Sequence, residues 1–173
     1  MRASSNTLNE IPASIGEMTG LKELYLDDNQ LFKLPDGLWD LVGLEALFLD
    51  WNDLGRIDLS KISQLKHLKV LDQGGDKLVK VNDALWELTE LTALDLSNND
   101  LDEIPNGLAK LKKLKALDLG GNDMLELPMV LKDMKQLRLL FLSTSDFESS
   151  KERQKAAAKQ VRDWLPECEV VFD

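Results

Sequence analysis

The chain has 173 residues, 43% of them hydrophobic and 30% charged, with a net charge of −10. That length fits one domain, and the acidity disfavours nucleic acid and anionic membrane as partners while admitting a basic protein or peptide. No stretch nears the roughly 18 continuous apolar residues of a membrane span, and the opening MRASSNTLNE carries no apolar signal core.

From Asn6 onward the chain repeats itself with a period of 23 residues. The unit reads L-x-x-L-x-L-x-x-N-x-L-x-x-L/I-P-x-x-L-x-x-L-x-x. A truncated copy runs from Asn6 to Gly20, full copies start at Leu21, Leu44, Leu68, Leu91 and Leu114, and a last one begins at Leu137. Fixed-period similarity predicts a solenoid, whose units cannot bury their apolar faces alone. The opening L-x-x-L-x-L alternates with period two, which predicts a half-buried strand lying parallel to the next in one sheet. The second half is apolar at every third position and predicts a short 3₁₀ or helical turn on the outer side. Pro12, Pro35, Pro105 and Pro128 stand where that turn begins, and proline is tolerated at a first helical position.

Asparagine recurs at one place, as Asn6, Asn29, Asn52, Asn99 and Asn122, with Asp76 and Ser145 substituting. An inward amide there predicts a ladder bonded to turn backbone within and between repeats. The first copy lacks a strand of its own. Either the chain is part of a longer array, or residues 1 to 5 form a minimal cover; a bare strand at Leu21 would be a sticky sheet edge, so a monomer or a weak dimer through that edge is expected. The copy at Leu68 is irregular. Its predecessor is 24 residues long, Gln73 replaces an inward leucine, Gly74 and Gly75 replace bulkier residues, and Asn82 replaces the proline. This reads as a tolerated imperfection that bends the array, or as a kink that shapes one face.

At the C-terminus, Ser149-Ser150-Lys151-Glu152 predicts a capping box opening a helix. Ala157, Val161, Trp164 and Leu165 follow at helical spacing and should cover the open end of the stack before Pro166 stops the helix. In the tail, Leu165, Cys168 and Val170 are expected to take the places of the three strand leucines. Cys168 is then a small core residue. As the only cysteine it forms no internal disulfide, which fits a reducing compartment or a bacterial protein that needs none.

The columns of leucine and asparagine and the N-x-L-x-x-L-P core resemble the leucine-rich repeat proteins of the 23-residue class, over about residues 6 to 148. The class includes many bacterial proteins and intracellular repeat proteins linked to Ras-type GTPase signalling, and the W-L-P-x-C ending is similar to the caps of bacterial members. The resemblance implies a curved α/β solenoid with its parallel sheet on the concave face, and usually a protein-binding role. It divides the chain into a repeat array over 1–148 and a helix-and-strand cap over 149–173.

Numbered from the first leucine, positions 2, 3, 5, 7, 8 and 10 face the concave side or its rim. Across the six repeats they hold twelve acidic residues against five basic ones. Position five reads Tyr25, Phe48, Asp72, Asp95, Asp118 and Phe141. Tyr25, Phe48 and Trp51, with Asp27, Asp28 and Asp50 around them, are expected to form an aromatic patch ringed by carboxylates. Such a patch suits an Arg- or Lys-bearing segment through cation–π contact and charge-assisted hydrogen bonds. Trp39 and Trp86 are expected to pack beside the outer leucines.

Catalysis finds little support. His67 is the only histidine and has no serine or cysteine at a spacing that makes a nucleophile pair. The aspartates recur with the repeat and form no distinct pair, and a flat column does not converge as a calcium loop does. The expected role is protein binding in the cytoplasm, without metal or cofactor. The alternatives are the recognition part of a larger enzyme or secreted effector, and a bacterial surface protein binding a host ligand.

Overall fold

The computed structural model describes residues 1–124, 126–143 and 151–172. Thr144, Ser145 and Asp146, the Ser149-Ser150 half of the expected capping box, and the boundary at 148/149 lie outside the described residues.

Each repeat supplies one short strand: β1 (Glu23–Tyr25), β2 (Ala46–Phe48), β3 (Val70–Asp72), β4 (Ala93–Asp95), β5 (Ala116–Asp118) and β6 (Leu139–Leu142). The tail adds β7 (Glu169–Phe172), and the seven lie side by side in chain order, every pair parallel. On the opposite side run 3₁₀ turns at Ala13–Glu17, Asp36–Asp40, Ser60–Gln64, Asp83–Glu87, Asn106–Lys110 and Met129–Asp133. A narrow turn stacks more loosely than a strand ladder, so the array curves with its sheet inside. Between sheet and turns the repeat leucines form one continuous core, with Leu44, Leu47 and Leu49 fully buried and Leu91, Leu94 and Leu96 nearly so. Trp39 and Trp86 join that core at 3% and 2% exposure.

The prolines sit one residue earlier than the sequence reading placed them. Pro12, Pro35, Pro105 and Pro128 have extended ψ of 145°, 151°, 154° and 110° and precede the turns. From there the proline carbonyl accepts the first turn bond, as in Leu38 N–H to Pro35 O at 3.0 Å. Proline serves because its fixed φ suits an extended entry and its missing N–H is not needed. At the Asp83–Glu87 turn, which lacks the proline, Asn82 Oδ1 accepts the Ala84 N–H at 3.0 Å.

The asparagine ladder forms as the spacing demands. Asn99 Nδ2 donates to the carbonyls of Gln73, Leu96 and Ser97 at 2.9, 3.0 and 3.1 Å, and its Oδ1 accepts the N–H groups of Asp76 and Leu78. Asn29, Asn52 and Asn122 repeat the bonds to three carbonyls, and their Oδ1 atoms accept the N–H groups of Leu8, Leu31 and Leu101. These side chains satisfy buried turn backbone, which lets strands of three residues hold a sheet.

The first strand is not bare. Arg2 bridges to Tyr25, with Tyr25 N–H donating to Met1 O at 3.0 Å and Ala3 N–H to Tyr25 O at 2.9 Å. At the other end α1 (Lys151–Trp164) lays Val161 on the core, with Leu165 just beyond it, at 0% and 2% exposure. The register of β7 differs from the sequence reading by two residues. Leu140 pairs with Val170 and Leu142 with Phe172, so Val170 and Phe172 take the inward places and Cys168 precedes the strand, half-buried. Leu165 is still held by the helix, its N–H on Val161 O at 2.9 Å, so it cannot also open the strand. A shift of two preserves which side chains face inward.

Candidate binding face

The register fixes what the concave face presents. Position three runs Glu23, Ala46, Val70, Ala93, Ala116, Leu139, and position five runs Tyr25, Phe48, Asp72, Asp95, Asp118, Phe141. Small apolar residues therefore floor the middle strands, with aspartates beside them and aromatic rings at both ends.

At the N-terminal end Tyr25 and Phe48 stack, ring centres 4.5 Å apart and planes 7° from parallel. This is a favourable cross-strand pair in its own right. The Arg2 guanidinium lies 4.5 Å from the Tyr25 ring centre, and the Tyr25 hydroxyl donates to Glu23 Oε2 at 3.0 Å. Asp27 accepts the Ser4 hydroxyl at 2.6 Å. Asp28 is exposed on the rim and Asp50 half-buried. Trp51 is not part of the stack. It is 58% exposed, sits on the turn after β2, and lies against Gly75 of the next repeat. The expected three-ring patch is thus a half-buried pair and a separate exposed indole. Arg2, which the repeat pattern does not reach, shows that the stack accepts a guanidinium.

In the middle, Asp72, Asp95 and Asp118 stand in register on adjacent strands. Each turns one carboxylate oxygen onto the backbone N–H two residues on: Gly74 at 3.1 Å, Ser97 at 2.8 Å and Gly120 at 2.9 Å. These local bonds fix the carboxylates against the sheet face. They line a hollow of about 220 Å³ with Val70, Ala93, Ala116 and Phe141. Burial pushes the Asp72 carboxyl up to about 7, with the charges of Asp95, Asp50 and Asp27 adding and the Gly74 N–H opposing. Asp50 is raised by burial and by Asp27, Asp95 and Asp28. Burial and neighbouring carboxylates thus disfavour the charged forms of Asp72 and Asp50.

In the asparagine column Asp76 meets only half of its bonding needs. Its Oδ1 accepts the Asn52 N–H at 2.9 Å, but Oδ2 is buried with no partner. His67 is exposed just before β3. Among the described residues no group of three or more His, Cys, Asp or Glu side chains is placed to hold a metal ion, and no helix is long and apolar enough to cross a membrane. The outer lysines pair with glutamates one repeat back, Lys110 with Glu87 and Lys113 with Glu90, both at 2.7 Å.

Stacked strand–turn units with an exposed inner sheet define a repeat solenoid of the kind that presents a single long face. The leucine-rich repeat family pattern matches residues 4–54 and 89–147, more than half of the chain, and the chain belongs to that family. Comparison with curated proteins gave no match. Among solved structures, a leucine-rich repeat protein of Leptospira interrogans is 27% identical with a TM-score of 0.75, covering 99% of this chain and 48% of its own. The Arabidopsis receptor kinase HAESA, solved with the peptide hormone IDA and the co-receptor SERK1, is 32% identical with a TM-score of 0.70, covering 83% and 26%. The plant peptide hormone receptor RGFR1, in complex with RGF2, is 29% identical with a TM-score of 0.69, covering 82% and 24%. This chain therefore spans about half the length of the Leptospira protein and about a quarter of the plant receptors.

Proposed function

We propose that this chain is a protein-interaction module whose concave face binds a basic, Arg- or Lys-bearing segment of a cytoplasmic partner. The observation that carries the reading is the hollow in which Asp72, Asp95 and Asp118 line a floor of Val70, Ala93 and Ala116. A lysine or arginine has the matching anatomy, an aliphatic stem for the floor and a cationic head for the carboxylates. A second basic residue stacks on the Tyr25–Phe48 pair as Arg2 does, beside Asp27, Asp28 and Asp50, and Phe141 bounds the far end of the face. Trp51 supplies a large exposed anchor of the type enriched at binding hot spots. Seven strands span about 29 Å, room for a helix of about 19 residues. The role is binding and not catalysis. That HAESA and RGFR1 were solved with peptide hormones supports a peptide-sized occupant. The chain's partial coverage of its relatives favours, as a second reading, the recognition segment of a longer protein.

Selection of displayed random peptides on the immobilised chain tests this. The expected pool is enriched in arginine and lysine, and its binding weakens at least several-fold as salt is raised through the range where the Debye length falls to about 3 Å. A pool without basic enrichment, or affinity indifferent to salt, contradicts the reading.

A further inference from the structure

Trp51 occupies a backbone position that a tryptophan should avoid. Its φ is +56°, and the same place in the neighbouring repeats holds Asp28 at +53°, Gly75 at +69°, Asn98 at +52° and Gly121 at +66°. Aspartate, asparagine and glycine tolerate this left-handed region, whereas a bulky side chain there is an outlier. Burial does not compensate, because the side chain is 58% exposed. Such strain persists only where the surroundings over-determine it, and those surroundings lie in the irregular repeat that follows.

Three contacts converge there. The Trp51 N–H donates to Gly74 O at 2.7 Å, the bond that Asp28, Gly75 and Asn98 also make to the next repeat, so the regular turn itself imposes the left-handed backbone. A Cβ on Gly75 would stand 2.8, 2.9 and 3.1 Å from Cε3, Cδ2 and Cζ3 of the indole, so the ring rests on that glycine and no larger residue leaves it room. The third contact differs from the turns before it and recurs once after it, where the Asp76 N–H donates to Asn99 Oδ1 at 3.0 Å. Asn6 and Asn29 donate their N–H groups to backbone oxygens of the next repeat, Asp28 O at 3.1 Å and Trp51 O at 3.3 Å. Asn52, next to the tryptophan, donates instead to the carboxylate Oδ1 of Asp76 at 2.9 Å. The strand ladder itself is undisturbed, since β2, β3 and β4 pair in continuous register. The irregularities at positions 74, 75 and 76 are therefore confined to the turn that touches Trp51.

We infer that the irregular third repeat is a seat for Trp51, with Gly75 as the positioning residue that holds the indole out at the rim of the concave face. This rests on the reading of that face as the partner site, and it gives the glycine at position 75 a purpose. The seat spends backbone regularity in one turn to fix an exposed aromatic ring in one orientation, which lowers the entropy lost on binding.

A double-mutant cycle between Gly75→Ala and Trp51→Gly tests the inference. Both the urea midpoint and the affinity for an oligoarginine peptide are measured on the full chain. Alanine at a φ of +69° is unfavourable in either background, so that part cancels and the cycle reports only the ring contact. The expected result is that Gly75→Ala lowers the midpoint clearly in the wild type and much less beside Trp51→Gly, and weakens peptide binding about tenfold in the wild type alone. Additive midpoint shifts overturn the seat. Coupled midpoints in a chain that ignores oligoarginine uphold the seat and overturn the assignment of the face.

Discussion

Asp76→Asn should stabilise the protein at pH 8 and leave its stability at pH 4 nearly unchanged. In the asparagine ladder each buried carbonyl takes two amides: Leu26 O receives Asn29 and Asn52, and Leu96 O receives Asn99 and Asn122. At the Asp76 rung the donor is missing, and Leu49 O and Gln73 O each receive one amide. The aspartate can supply that donor only when protonated, and burial accordingly raises its carboxyl to about 7. Every nearby charge acts the same way: Asp50 and Asp53 from the preceding turn and Asp72 from β3, opposed only by the Asn52 N–H. Lys77 pairs outward with Asp53 at 3.2 Å, and the facing residue of the following turn is the uncharged Asn99.

The folded chain therefore holds a proton at Asp76 up to about pH 7, which the unfolded chain releases near the ordinary value of 3.8. Between those limits the folded state binds more protons, so stability falls as pH rises. At 1.36 kcal/mol per unit the ceiling on the loss is about 4 kcal/mol. An asparagine amide removes the penalty and restores the missing donor. Urea unfolding of both forms at pH 4 and pH 8 checks this, and equal midpoints at pH 8 contradict it. A shallower pH dependence remains in the variant from Asp72 and Asp50, whose carboxyls are also raised.

Replacing Phe48 and Trp51 by alanine together should abolish partner binding without unfolding the chain. Phe48 is half-buried and Trp51 exposed, and neither belongs to the leucine core. Losing the stack on Tyr25 costs about 1 kcal/mol, small against core truncations of 2–5 kcal/mol. Binding is affected far more, because two aromatic anchors of at least about 2 kcal/mol each amount to a loss of roughly a thousandfold. Titration of a peptide from the basic-enriched pool into wild type and double variant reads this directly, with far-UV circular dichroism as the control for folding. Unchanged affinity would remove both residues from the site.

What the sequence revealed and what it hid have one physical origin. The leucines, the asparagine column, the strand of each repeat and the outer turns were legible because the chain states them several times over, and averaging across copies cancels local noise. Features stated once were not. The register of β7 depends on where α1 releases the chain, and Leu165 belongs to the helix end and not to the strand. The prolines shifted by one residue because an extended entry and a first helical position place proline alike in the sequence. Asp76 looks like a conservative substitute for asparagine until burial shows that one of its oxygens needs a donor role. Tyr25, Phe48 and Trp51 are near one another in the repeat grid, but the side-chain direction at a left-handed turn residue is not set by the grid, and Trp51 leaves the stack to lie on Gly75. Arg2 lies before the first copy, where periodicity says nothing.

Changing Asp72, Asp95 and Asp118 to asparagine together, and measuring affinity for the same peptide, asks whether the carboxylates of the concave face grip a basic segment. Asparagine keeps an oxygen to accept the N–H groups of Gly74, Ser97 and Gly120, so the turns and the hollow persist while the charge is gone. Binding should weaken by at least about a hundredfold, its salt dependence should flatten, and the fold should be at least as stable as before. A triple variant that is folded and binds the peptide as tightly as the wild type, with the same response to salt, contradicts the proposed grip.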